Sequence, residues 1–285
     1  MLSVKSEKGE IFKPFQKLRY HHGEGDNEGY AITTSEFLHP ATCRTIVSLC
    51  EAHVDRIEST LGCHHPWREG FGDYINGVPD YRYATVDLEV DQIPQLVAWL
   101  RDIDFVDVVA RRIERSHGVR ITAFDDMFVV KYNAAGQREL VRHVDGGDVS
   151  FMVALNPGND PGLCCFENPF LVNEVRETRS EFGGGGTRFD VLADGSDNMP
   201  LQLRQGEVVT FDAHLYHSGV PITEGTRYLL VGFCHTQPSA AIIPGNVALN
   251  LTLIPYPTAT KKNQSKETFS KKQKKKNIEN DEIKK

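Results

Sequence analysis

From Val119 onward the sequence breaks into short β-forming runs separated by glycine and asparagine. Residues 127–132 are rich in β-formers, and 149–155 form a continuous apolar run. Residues 187–192 follow four consecutive glycines, 207–211 follow Gly206, and 227–234 are strongly apolar. Many short strands with turn residues between them predict a β-sandwich or jelly roll rather than a helical or doubly wound fold. The segment 160–182 carries few strand signals and reads as a long loop, the kind of segment in which function concentrates.

The first half reads differently. Pro40 suits the first turn of a helix, where its missing N–H is an orphan anyway. Residues 41–54 follow with Ile46, Val47, Leu49 and Cys50 on one face. Residues 62–82 read as loop, 85–90 as a strand, and 93–113 as one or two helices. The expected fold class is α+β, with helices first and a double-sheet β-core after them. Residues 1–30 are polar and are expected to be poorly ordered. The chain shows no internal repeat.

Charge is unevenly spread. The formal net charge is −7, but residues 261–285 hold ten lysines against four acidic residues, a local +6 that leaves −13 for the rest. That balance gives no indication of a nucleic-acid partner for the folded part. The lysine pairs and runs within 261–276 resemble a two-part nuclear import signal, against the plainer reading of a solvated tail. The first 18 residues lack the apolar core of a secretory signal, and no run approaches about 18 apolar residues. A cytoplasmic or nuclear protein with no membrane association is therefore expected. The six cysteines have no repeating spacing and read as free thiols, Cys164 and Cys165 included.

The chemistry-bearing motif is His143-Val144-Asp145. On a strand, residues two apart share a face, so an imidazole and a carboxylate would converge. A second histidine from a distant strand would complete a facial set, leaving three positions open for a co-substrate and O₂, as non-haem Fe(II) oxygenases require. A closed zinc site leaves no such room. His217, 72 residues after Asp145, is the candidate third ligand. His214 is its rival, and i and i+3 on a strand face opposite ways. Asp148 has the wrong offset from His143 to replace Asp145, and the pairs His21-His22 and His64-His65 read as surface or loop residues. Ten residues past His217 stands Arg227, after a turn at Glu224-Gly225 and at the start of an apolar strand. Its planar fork matches a carboxylate, and the neighbouring strand would place it beside the histidine.

These residues stand in a wider pattern: Tyr132 before His143 and Asp145, then Gly184-Gly185-Gly186-Thr187-Arg188-Phe189, then His217, Gly219, Pro221, Gly225 and Arg227. From about Asp126 to His235 the chain resembles the catalytic domain shared by prolyl 4-hydroxylases and procollagen lysyl hydroxylases, within the Fe(II)/2-oxoglutarate dioxygenases. The resemblance implies a double-stranded β-helix with supporting N-terminal helices. It implies iron on His143, Asp145 and His217, and the far carboxylate of 2-oxoglutarate on Arg227. It places Tyr132 and Thr187 along the co-substrate pocket, O₂ as oxidant and L-ascorbate as an optional reductant. An arginine at position 227 and an eleven-residue step from Tyr132 to His143 look more like the lysyl hydroxylases.

The implied organisation is an N-terminal segment (1–30), a helical support region (31–125), a dioxygenase core (126–236), a C-terminal extension (237–257) and a lysine-rich tail (258–285). The insertion at 161–181, near where substrate would enter, reads as a lid, a partner-binding loop or a tolerated surface insertion. The implied reaction is hydroxylation of a C–H bond with release of succinate and CO₂, on a peptide or protein substrate. The same chemistry on a small molecule or nucleobase, a β-helix module that only binds, and a cupin-type metalloprotein are the competing readings.

Overall fold

The computed structural model describes residues 11–13, 19–22, 31–69, 74–75, 78–79, 85–159, 180–192 and 199–238. The insertion at 161–179, the residues after 238 and the basic segment at 261–276 lie outside the described residues, as do Cys164 and Cys165. In chain order the elements are β1 (Arg19–His22), β2 (Ile32–Glu36), α1 (Pro40–Leu61), α2 (Pro66–Glu69), β3 (Tyr74–Ile75), β4 (Val78–Pro79) and β5 (Asp87–Glu89). Then come α3 (Pro94–Asp102), α4 (Phe105–His117), β6 (Val119–Asn133), β7 (Leu140–His143), β8 (Val149–Ala154), β9 (Phe182–Gly184) and β10 (Thr187–Phe189). The last three are β11 (Glu207–Asp212), β12 (His217–Gly219) and β13 (Ile222–Pro238).

Two sheets form the core. The major sheet runs β1-β2-β11-β8-β13-β6-β5, with β9 joined to the start of β13; the minor sheet is β10-β12-β7. From β7 to β13 the chain passes back and forth between them, which makes a double-stranded β-helix within an α+β fold. The two-residue period of a strand divides the apolar residues between two layers. On β8, Phe151 and Val153 pack toward the helices, while Met152 and Ala154 face the minor sheet. On β6, Met127 and Val129 turn to the helices, and Val130 and Tyr132 turn inward. Helices α1, α3 and α4 therefore cover one face of the major sheet, and the minor sheet covers the other. Among the described residues no helix is long and apolar enough to cross a membrane.

Several elements differ from the sequence reading. Part of the N-terminal segment is ordered: β1 pairs with β2, and β2 pairs with β11, so both belong to the major sheet. Residues 32–36 read Ile-Thr-Thr-Ser-Glu, too polar to signal a buried strand, yet Thr33 and Thr210 satisfy each other across β2 and β11 through a 2.7 Å hydroxyl contact. The helix starting at Pro40 runs to Leu61 rather than stopping at Val54. Within 62–82 lies the short helix α2. β6 and β13 are far longer than their apolar stretches, because they pair with each other from Thr226↔Asn133 to Pro238↔Val119. The strand expected over 187–192 stops at Phe189 and continues as a 3₁₀ turn.

A buried ionic knot ties the helices to the β6–β13 pair. Glu51 on α1 accepts hydrogen bonds from Trp67 Nε1 at 2.9 Å, Tyr228 Oη at 2.9 Å and Lys131 Nζ at 3.2 Å, and Arg68 also reaches it. Burial works against the Glu51 carboxylate, but Lys131 and these donors hold its pKa below the ordinary value. Tyr228 and Lys131 are register partners on the helix side of the sheet. The next residues along, Arg227 and Tyr132, are partners on the opposite side.

Candidate metal centre

His143 closes β7 and His217 opens β12, and the two are direct partners in an antiparallel pair. Their ring centroids lie 4.3 Å apart. Each ring is held by its own backbone: Nδ1 of His143 lies 2.8 Å from the Val141 carbonyl, and Nδ1 of His217 lies 3.0 Å from the Leu215 carbonyl. A carbonyl only accepts, so in the neutral rings each Nδ1 carries the proton and each Nε2 keeps its lone pair. Both Nε2 atoms point at Asp145 Oδ1, from 3.4 Å for His143 and 3.6 Å for His217. The ligand atoms of the three residues all lie within 4.8 Å of one another, and among the described residues no other group of three or more such side chains does so.

Asp145 does not reach this point by strand alternation. β7 ends at His143, and Asp145 sits in the turn that follows, its N–H bonded to the Ala213 carbonyl at 2.9 Å. The turn, not the period of two, aims the carboxylate. The rival residues are engaged elsewhere. His214 is bonded to Asp212 at 3.1 Å, and Asp148 accepts the Thr236 N–H at 2.7 Å.

Burial and charge set the protonation of the histidines. Burial pushes His217 below the ordinary imidazole value, more than Asp145 restores. For His143 burial acts the same way, but the protonated ring can donate to Asp145 and to the Val141 carbonyl, which outweighs burial, and the net shift is upward. Aromatic rings pack around His217: Phe211 at 4.9 Å and Phe189 at 5.6 Å between centroids. In the sequence Phe189 stood out only as part of the glycine-threonine-phenylalanine pattern, and nothing marked Phe211.

Arg227 lies across the sandwich from His217, not beside it on a neighbouring strand. β13 starts at Ile222 rather than near Arg227; its first residues pair with β9, and from Thr226 it pairs with β6. Gly225, at φ +72°, makes that change of partner, and a Cβ there would stand 2.0 Å from the Glu181 carbonyl oxygen. The Arg227 side chain enters the space between the sheets and is 4% exposed. Its Nη1 donates to the Gly186 carbonyl at 3.1 Å, and its guanidinium lies 5.9 Å from the Tyr132 ring and 6.0 Å from the Phe182 ring. Gly184, Gly185 and Gly186 all have positive φ, a path open to glycine that brings this backbone to the guanidinium. Among the described residues Arg227 has no carboxylate partner, and burial pushes its pKa down.

Tyr132 is 5% exposed, and burial lifts its hydroxyl to about 12, so it stays protonated. The hydroxyl approaches Gly219, where a Cβ would meet it at 3.2 Å. Thr187 is the register partner of Gly219, is 4% exposed, and shares the inward face of β10 with Phe189. Arg227 and Tyr132 on the major sheet and Thr187 on the minor sheet are thus all buried between the two sheets.

In sequence, the chain matches the procollagen-lysine,2-oxoglutarate 5-dioxygenase 1 of Gallus gallus at 26% identity over 152 residues and that of Bos taurus at 29% over 153. The chain is similar to the 2-oxoglutarate-dependent dioxygenases. The match covers 52% of this chain but only 17% and 18% of those longer dioxygenases. No protein-family profile matches the chain. Solved structures related to it include a prolyl hydroxylase from Trichoplax adhaerens in complex with a hypoxia inducible factor peptide fragment, at 16% identity and a TM-score of 0.37, covering 58% of this chain and 70% of that one. A 2OG-Fe(II) oxygenase family oxidoreductase from Burkholderia pseudomallei matches at 13% identity and 0.33, covering 60% and 65%. AviO1 from Streptomyces viridochromogenes matches at 13% and 0.43, covering 86% and 99%.

The sequence relatives are named for 2-oxoglutarate, and the residues present here fit a divalent metal with that co-substrate. Two imidazole Nε2 lone pairs and one carboxylate are the 2-His-1-carboxylate donor set that suits Fe(II). An arginine buried without an acid partner among the described residues suits a dianionic co-substrate.

Proposed function

We propose that this chain is an Fe(II)- and 2-oxoglutarate-dependent dioxygenase that hydroxylates a C–H bond of a peptide or protein, releasing succinate and CO₂. The observation that carries the reading is Arg227. A guanidinium 4% exposed with no carboxylate among the described residues is costly unless an anion joins it. The far carboxylate of 2-oxoglutarate is that anion; Tyr132, the register partner of Arg227, is buried beside it. In this reading the two Nε2 atoms and the Asp145 carboxylate hold the metal, which when bound supplies the activation of O₂. Arg227 fixes the far end of the co-substrate, Tyr132 donates a hydrogen bond to it, and Phe182, Phe189 and Phe211 exclude water. The peptidyl substrate is supported by the likeness to dioxygenases named for procollagen lysine.

The test is succinate formation from 2-oxoglutarate by the full chain with Fe(II) and ascorbate, followed by NMR, with His143→Ala and Asp145→Ala as controls. A parallel peptide survey by mass spectrometry looks for the gain of one oxygen. Wild type that neither binds nor turns over 2-oxoglutarate sinks the reading. Succinate formation coupled to a small molecule, with no peptide gaining oxygen, keeps the chemistry and removes the peptidyl substrate.

A further inference from the structure

Behind the three inward residues around the metal centre stand three outward ones. Arg142 immediately precedes His143, Tyr216 immediately precedes His217, and Asp190 immediately follows Phe189, the register partner of His217. Arg142 and Tyr216 are exposed and Asp190 is half-buried, and this second trio meets on the outer side of the minor sheet. Arg142 Nε and Nη2 lie 2.7 and 2.6 Å from Asp190 Oδ2. The Arg142 guanidinium lies 3.6 Å from the Tyr216 ring centroid. The Asp190 N–H donates to the Tyr216 carbonyl at 3.0 Å. One guanidinium therefore joins the three segments that carry His143, His217 and Phe189.

The backbone alone holds these segments weakly. β7 and β12 share two register pairs, His143↔His217 and Leu140↔Gly219, with an irregularity between them. Strands this short leave the spacing of the two imidazoles loosely fixed. A lone exposed ion pair contributes little, but here the arginine is held by two nitrogens on one side and a ring face on the other, a geometry lysine does not reproduce.

We propose that Arg142 is a positioning residue: clamped between Asp190 and Tyr216, it sets the distance between His143 and His217 and so tunes metal binding from outside the site. This rests on reading His143, Asp145 and His217 as metal ligands. The experiment is a Co(II) titration of the metal-free full chain, followed by visible absorption, alongside the melting temperature of the metal-free protein. Arg142→Ala is expected to weaken Co(II) binding about tenfold and to shift the absorption bands, at a nearly unchanged melting temperature. Asp190→Asn moves both in the same direction, and Arg142→Lys recovers only part of the loss. The double variant Arg142→Ala/Tyr216→Ala is no worse than Arg142→Ala.

A wild type without Co(II) bands, or an Asp145→Ala variant that keeps them, overturns the metal reading and the proposal with it. Wild type that binds, Asp145→Ala that does not, and Arg142→Ala and Asp190→Asn that both match wild type in affinity and spectrum overturn the positioning role alone. Should Arg142→Ala fail to fold, Asp190→Asn decides the matter.

Discussion

Arg227 and Tyr132 are direct partners in the β6–β13 pair, both turned into the space between the sheets, with the guanidinium 5.9 Å from the tyrosine ring. One residue along, on the other face, Lys131 is also buried, but it has Glu51. Among the described residues, the same two strands thus carry one cation with an acid partner and one without.

That contrast gives the first prediction. Arg227→Met removes a buried charge with no acid partner, so the ligand-free variant is expected to melt at or above the wild-type temperature. With metal present, 2-oxoglutarate at about a hundred times its Kd should stabilise wild type by about 2.7 kcal/mol and the variant hardly at all. Scanning calorimetry measures both. A variant that melts lower and still responds fully to 2-oxoglutarate removes Arg227 from the co-substrate site.

The two histidines three residues apart should separate cleanly. His217→Ala is expected to abolish Co(II) or Fe(II) binding, since it deletes one of three ligands. His214→Ala should leave binding unchanged, because His214 is exposed and held by Asp212. Isothermal titration with the metal distinguishes them, and equal losses would sink the assignment.

Gly225 and Gly62 test backbone strain against collision. Both have positive φ, +72° and +65°, but a Cβ on Gly225 would collide with the Glu181 carbonyl, while nothing lies within 4 Å at Gly62. Gly62→Ala should cost about 1 kcal/mol, and Gly225→Ala clearly more than about 2 kcal/mol. Urea denaturation reads both, and similar costs would contradict the packing around Gly225.

His117 should make stability depend on pH. Burial pushes its pKa down to about 4, with Asp212 opposing, and its Nε2 lies 2.9 Å from the Thr210 hydroxyl. The unfolded chain then binds the proton more readily, so this contribution is complete above about pH 6.5 and is lost as pH falls toward 4. The loss is at most about 3 kcal/mol. His117→Gln should flatten the stability profile across that window; a slope equal to that of wild type would assign the effect to other groups.

The sequence made the site more legible than the frame around it. His143, Asp145, His217 and Arg227 stood out because their spacings are long and fixed, and the glycines near them mark backbone that other residues do not follow. The route by which they meet was less readable. Asp145 arrives through a turn, and Arg227 through a strand that changes partner at Gly225, neither of which follows from a period of two. β2 was hidden because Thr33 and Ser35 are buried polar residues whose partners, Thr210 and Arg112, lie far away in the chain. The outer halves of β6 and β13 were hidden for a related reason: each is extended because the other lies beside it, not because of its own composition. Arg142, Asp190 and Tyr216 carry no signal as a set, since 48 residues separate the first pair.

The minor sheet has three strands of three or four residues, against a major sheet with two strands of fifteen and seventeen. It therefore opens locally at lower cost than the major sheet. A divalent ion gripping His143 and His217 bridges β7 and β12 like a clasp on a thin hinge. Loss of the ion and opening of that edge then become a single event. Amides of β7 and β12 should exchange with solvent early in the metal-free chain, and the protein's resistance to proteases should rise and fall with metal supply.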